Sequence, residues 1–246
     1  MTYCVGLRLD QGLVFMSDTR TNAGVDNIFT FRKMFTWSNP GERVITMMTA
    51  GNLATTQAVV SILNERMKAP AEREPSLLRA PTMFQVAKMV GATLREVVQA
   101  QVQSDDDPES ASTFSATVIV GGQIKGSEPR LFLVYPEGNF IEASDENPFF
   151  QIGETKYGRP ILLRGYRPDM SFEEAVKLLL LSFDSTLKAN LSVGMPLDLQ
   201  TYTAGSFKVG REKRFEQGDP YYAHLSQGWG DALNAAIQSL DDFSFE

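Results

Sequence analysis

Histidine and cysteine are almost missing from this chain, which has one of each in 246 residues. Cys4 stands alone and cannot form an intrachain disulfide. Its place in an alternating stretch reads as a small buried apolar side chain rather than a nucleophile. His224, in the loop-like stretch YYAHLSQG, leaves no partner for a HExxH or three-histidine site, so zinc chemistry has no ligand set. Neither a metal nor a cofactor is expected. There is no GxSxG elbow, no GxxxxGK[ST] phosphate loop and no GxGxxG after a strand, and a Ser-His-Asp triad would have to rest on His224, for which nothing argues. No apolar run approaches the ~20 residues of a membrane span. No Lys/Arg cluster forms a basic stripe and the net charge is −7, so neither membrane nor nucleic acid is an expected partner. No basic stretch followed by an apolar one opens the chain, and a cytoplasmic location is expected.

What is present suffices for a packed core: 43% of residues are hydrophobic and 10% aromatic. No repeat, low-complexity tract or linker interrupts residues 1–246, which read as a single domain. Strands are predicted over 2–10 and 13–17, joined at Gln11-Gly12, and, after a Thr/Asn/Gly turn at 21–24, over 29–37 and 43–50. Asn52 then caps a helix bearing Leu53, Val59, Val60, Leu63 and Met67. A second helix spans 82–103, with Phe84, Val90, Leu94 and Val98 on one face, and the acidic SDDDPESAS that follows reads as a solvated loop. Strands return at 115–123, 130–135 and 139–143. A helix is expected over about 154–164, another begins at the capping box Ser171/Glu174, a late strand lies in 201–209, and a weaker helix in 231–240. Strands, two helices, strands, two helices and a strand, without βαβ alternation, fit two mostly antiparallel sheets, each covered outside by a helix pair.

The chemistry concentrates near the start. Removal of Met1 ahead of a small residue would give Thr2 a free α-amine beside its own hydroxyl, so that one residue holds nucleophile and base. Asp18 and Arg20 follow in SDTRTNAG and Lys33 in FRKMF, where Phe31, Met34 and Phe35 give the ammonium apolar surroundings and Asp18 is its natural partner. That pair serves equally well as a plain core ion pair. In TAGNLATTQAV a strand ends at Ala50-Gly51 and a helix begins, so Gly51 combines close backbone approach with the positive helix end that suits a developing oxyanion. Counting back from Gly51, Thr49 and Met48 are placed beside the first side-chain pocket, with Leu53 nearby, and suggest a modest apolar preference.

At these residues, and through QIGETKYGRPIL, the chain resembles the proteasome β-subunit family, in particular its bacterial Anbu branch, over nearly its whole length. The resemblance implies the α+β, four-layer αββα sandwich of N-terminal nucleophile hydrolases. It further implies Thr2 as nucleophile, Lys33 as the tuning cation, Asp18 as its salt-bridge partner, Arg20 as structural and the Gly51 N–H as oxyanion donor, with self-assembly into a ring or open spiral. Two positions depart from the pattern. Glu154 stands where a serine helps organise the amine, and a carboxylate there favours the ammonium. Asn190 and Ser192 only partly reproduce a later Asp-x-x-Ser element. Two functions stay open: a threonine hydrolase of peptides or smaller amides, or a scaffold or binding subunit of the same fold without turnover.

Overall fold

The structure is a computed structural model that describes residues 2–22, 28–68, 76–103 and 113–245. The strands are β1 (Tyr3–Leu9), β2 (Gly12–Asp18), β3 (Arg20–Asn22), β4 (Ile28–Thr30), β5 (Met34–Asn39), β6 (Arg43–Gly51), β7 (Ala116–Ile124), β8 (Arg130–Val134), β9 (Phe140–Glu142), β10 (Phe149–Gly153), β11 (Leu197–Thr203) and β12 (Glu212–Phe215). The helices are α1 (Leu53–Lys68), α2 (Met83–Gln103), α3 (Arg159–Gly165), α4 (Phe172–Ala189) and α5 (Pro220–Gln238). One sheet runs β10-β1-β2-β11-β12, a second β5-β6-β7-β8-β9, and β3 and β4 form a short ribbon. Every pairing is antiparallel.

Period-2 alternation builds the layers. On β1 and β2, Val5, Leu7, Val14 and Met16 face α3 and α4, whereas Cys4, Leu13 and Phe15 face the other sheet. On β6 and β7, Ile45, Met47, Val118 and Val120 face α1 and α2, and Val44, Met48 and Ile119 turn inward to meet them. Both faces are covered, so these strands read as continuous apolar runs. The result is the expected αββα sandwich. Local signals hold at the predicted caps: Asn52 Oδ1 accepts from the Thr55 N–H at 3.1 Å, and Ser171 and Glu174 complete both arms of the capping box.

Several expectations are corrected. The single strand expected over 29–37 is two, because Phe31–Lys33 leave the β3–β4 ribbon to cross to the second sheet. The expected turn at 21–24 begins as strand β3, and its remainder, like SDDDPESAS and Met1, lies outside the described residues. FFQIG forms β10 along β1, and the helix expected from 154 starts only at Arg159, where Pro160 fits the first turn. The late strand is β11 followed by β12. The last helix begins much earlier than expected, at the Asp219 cap with Pro220 behind it, so His224 lies on an exposed helical turn rather than in a loop. On α2, Phe84 is 44% exposed and packs edge-on against Phe140; the buried face is Met83, Val86, Val90, Leu94 and Val97.

Candidate active site

The crossing segment Phe31–Lys33 builds the site. Its backbone is held at both ends, by the Phe31 N–H donating to the Thr19 carbonyl at 2.9 Å and the Lys33 carbonyl accepting from the Thr49 N–H at 3.0 Å. The Lys33 side chain, 5% exposed, therefore runs back toward the end of β2, where its Nζ donates to Asp18 Oδ1 at 2.7 Å and to the Arg20 carbonyl at 2.7 Å. Asp18 is fully buried. It also accepts from the Tyr3 N–H at 3.0 Å and, through Oδ2, from the Gly194 N–H at 3.4 Å. Burial pushes its carboxyl upward from the usual range, against the pull of Lys33 and the two N–H groups. The pair therefore owes its charge separation to local donors rather than to solvent.

Above the pair lies a cavity of about 490 Å³ lined by Thr2, Lys33, Thr49, Ala50, Gly51, Leu53 and Gly153 among others. Thr2 is 8% exposed, and its carbonyl accepts from the Glu154 N–H at 2.7 Å. Gly153 fits here for a steric reason: its φ is +84°, and a Cβ would sit 1.9 Å from the Thr2 carbonyl oxygen. Gly51 likewise has φ +114°, and a Cβ would meet the Ser115 carbonyl at 2.4 Å. The first turn of α1 opens on this cavity through Leu53, Thr56 and Gln57, bringing the positive helix end to its wall.

Of the pocket residues named from sequence, Thr49 and Leu53 line the cavity, but Met48 does not; strand alternation turns it inward into the core between the sheets. Arg20 contributes its carbonyl to Lys33, and its guanidinium donates to the Leu191 carbonyl at 2.9 Å while packing on Gly194. The Glu154 carboxylate accepts from Asn190 Nδ2 at 3.0 Å, and Asn190 Oδ1 accepts from the Ser192 N–H at 2.9 Å. Leu191 and Gly194 were missed from sequence, because they act through a carbonyl and an N–H that every residue carries. Cys4 lies close to the pair and is fully buried; burial drives its thiol well above its ordinary range, which disfavours the thiolate a nucleophile would need. Among the described residues no group of three or more His, Cys, Asp or Glu side chains could hold a metal ion, and no helix is long and apolar enough to cross a membrane.

The family model described as proteasome subunit matches residues 2–199. An Anbu (Gly-1) mutant from Hyphomicrobium sp. strain MC1 is 52% identical, covering 99% of this chain and 100% of that one, with a TM-score of 0.91. The helical assembly of the Anbu complex from Pseudomonas aeruginosa is 43% identical, with 99% and 98% covered and a TM-score of 0.90. Proteasome subunit beta 2 of Pyrobaculum calidifontis is 26% identical over 201 residues, 79% of this chain and 85% of that protein. The chain therefore belongs to the proteasome subunit family, in its Anbu branch.

Proposed function

We propose that the protein is an N-terminal threonine hydrolase that cleaves a peptide or smaller amide through an acyl ester on Thr2. The observation that carries this reading is the buried Asp18–Lys33 pair beneath a cavity lined by both Thr2 and Gly51. Once Met1 is removed, the α-amine of Thr2 takes the hydroxyl proton, the alkoxide attacks the carbonyl, and the Gly51 N–H together with the start of α1 stabilises the oxyanion. Lys33 holds positive charge near the amine and lowers its proton affinity; Asp18 and the Arg20 carbonyl hold Lys33 in place. The amine then protonates the leaving nitrogen, and water releases the acyl group by the reverse sequence. Intact-mass measurement of purified protein tests the first requirement. The expected mass is short by one methionine, and protein that retains Met1 in full has no amine on Thr2 and cannot work this way.

A second reading, a scaffold or binding subunit without turnover, draws on Glu154, whose backbone bonds to Thr2 and whose carboxylate departs from the family pattern. If that carboxylate acts on the amine, it raises its proton affinity. Glu154→Ser is then expected to move the acid limb of the pH-rate profile downward. An unchanged limb would show that Glu154 serves Asn190 alone.

Self-association is part of the proposal, as a closed ring or an open spiral. The helical assembly of the Pseudomonas aeruginosa relative supports it. So does the surface of this chain, where α5 buries none of its residues and Ile237, Leu240, Phe243 and Phe245 stand 67 to 96% exposed.

A further inference from the structure

Among the described residues the charge lining the cavity is one-sided: there is no carboxylate, and its charged side chains are Arg32 and Lys33. Lys33 is committed to Asp18 and the Arg20 carbonyl. Arg32 is exposed and makes no hydrogen bond or ion pair among the described residues. It also lines an adjoining cleft of about 600 Å³ between the edges of the two sheets. The other charged groups of that cleft are engaged elsewhere: Arg214 holds Asp198 through two bonds of 2.6 and 2.9 Å, Lys213 reaches Asp219 at 3.2 Å, and Glu212, the second carboxylate lining the cleft, accepts from Gln200 Nε2 at 3.4 Å. At the junction of cavity and cleft, then, one guanidinium lacks a counter-ion among the described residues, in a chain whose net charge is −7. The backbone that carries it is fixed, because Phe31–Lys33 is pinned on both sides by the bonds to Thr19 and Thr49.

A planar guanidinium projecting from an anchored backbone suits a carboxylate, which it can grip through two parallel bonds, better than a neutral or cationic group. The half-buried rings and methyls of Phe35 and Leu53 on the same wall accept the carbon stem that carries such a group. We infer that the Arg32 guanidinium binds a carboxylate-bearing side chain of the substrate close to the scissile bond, making the substrate an acidic peptide or acyl amide. This rests on the hydrolase reading for the word substrate, but the anion subsite stands or falls separately.

The test uses full-length, assembled Thr2→Ala protein, which cannot acylate, and fluorescent peptide amides that differ only as Glu against Gln beside the bond to be cut. Anisotropy titration is expected to show the Glu peptide bound about fivefold tighter. The preference should shrink as salt rises, vanish in Arg32→Gln and invert in Arg32→Glu. Equal affinity for the two peptides, absence of binding, or a preference that survives Arg32→Gln would overturn the inference. So would loss of assembly in Arg32→Gln by light scattering, because Arg32 would then be a contact between subunits. Reaction of the wild-type protein with a neutral β-lactone reports on hydrolase chemistry alone. Reaction without Glu preference leaves the hydrolase and removes the anion subsite, and preference without reaction does the opposite.

Discussion

Lys33→Met is expected to lower turnover at least about a hundredfold while the protein still folds and assembles. Methionine keeps the length and apolar stem of the lysine, so the buried stem is still filled at the cavity wall, but the ammonium that faces Asp18 and the Arg20 carbonyl is gone. Asp18 is left fully buried with only the Tyr3 and Gly194 N–H groups, and the expected stability loss near neutral pH is about 2 to 3 kcal/mol. The direction with pH follows from the same residue. Burial already raises the Asp18 pKa, and removing Lys33 removes the largest force that lowers it. A carboxyl whose folded pKa lies above its unfolded one binds extra protons when folded, so its cost is fully present above the folded value and fades as pH falls toward the unfolded one. The deficit of Lys33→Met relative to wild type should therefore narrow in acid, as read by denaturant melts at several pH values. Wild-type turnover in this variant would remove Lys33 from the mechanism, and a deficit that widens in acid would contradict the burial argument.

Gly153→Ala is expected to damage fold and site together. The added methyl would lie 1.9 Å from the Thr2 carbonyl oxygen and 2.6 Å from its carbon, both backbone atoms that cannot rotate away. β10 must part from β1 at the Tyr3–Gly153 pair, breaking the 2.7 Å bond from the Glu154 N–H to Thr2. Adding the strain of a positive φ, we expect a loss of about 2 to 3 kcal/mol. Because a misplacement of ~1 Å at a reacting group costs on the order of a hundredfold, activity should fall further than stability explains. Gly126→Ala separates the two effects. That residue has φ +89° with nothing within 4 Å of an added methyl, so about 1 kcal/mol and unchanged activity are expected there. Equal behaviour of the two variants would show that the contact with Thr2 does not matter.

How much of this was legible in the sequence depended on how local each signal was. The Asn52 cap and the Ser171/Glu174 box lie within one turn of chain, and both were found where their side chains pointed. A lysine set among Phe31, Met34 and Phe35 needs a counter-ion, and Asp18 is its natural partner even though 15 residues separate them, but the pairing alone does not tell a catalytic pair from a plain core ion pair. By contrast, nothing inside 29–37 says that its first part pairs with β3 and its last with β6, so the break that frees Lys33 was invisible. FFQIG is too short to show alternation against the turn residues before it, and the glycines at 228 and 230 masked the length of α5. Met48 illustrates a finer error: proximity in sequence to Gly51 put it at the pocket, while the period of a strand put it on the other face. The supporting loop after α4 stayed hidden because Leu191 and Gly194 contribute backbone groups.

Covalent capture at Thr2 tests the central claim most directly. A peptide epoxyketone needs hydroxyl and free α-amine on one residue, and small β-lactones extend the trial to a pocket too tight for peptides. Correctly processed, assembled protein is incubated with each across about pH 6 to 10, a span that covers the usual titration of an α-amine near 7.7 to 8. The N-terminal peptide is then analysed by mass spectrometry. The account predicts an adduct on Thr2, absent from Thr2→Ala and from protein that keeps Met1, with assembly unchanged in both. Processed, assembled protein that stays unmodified by every electrophile over that range would contradict the hydrolase reading and leave the scaffold in its place.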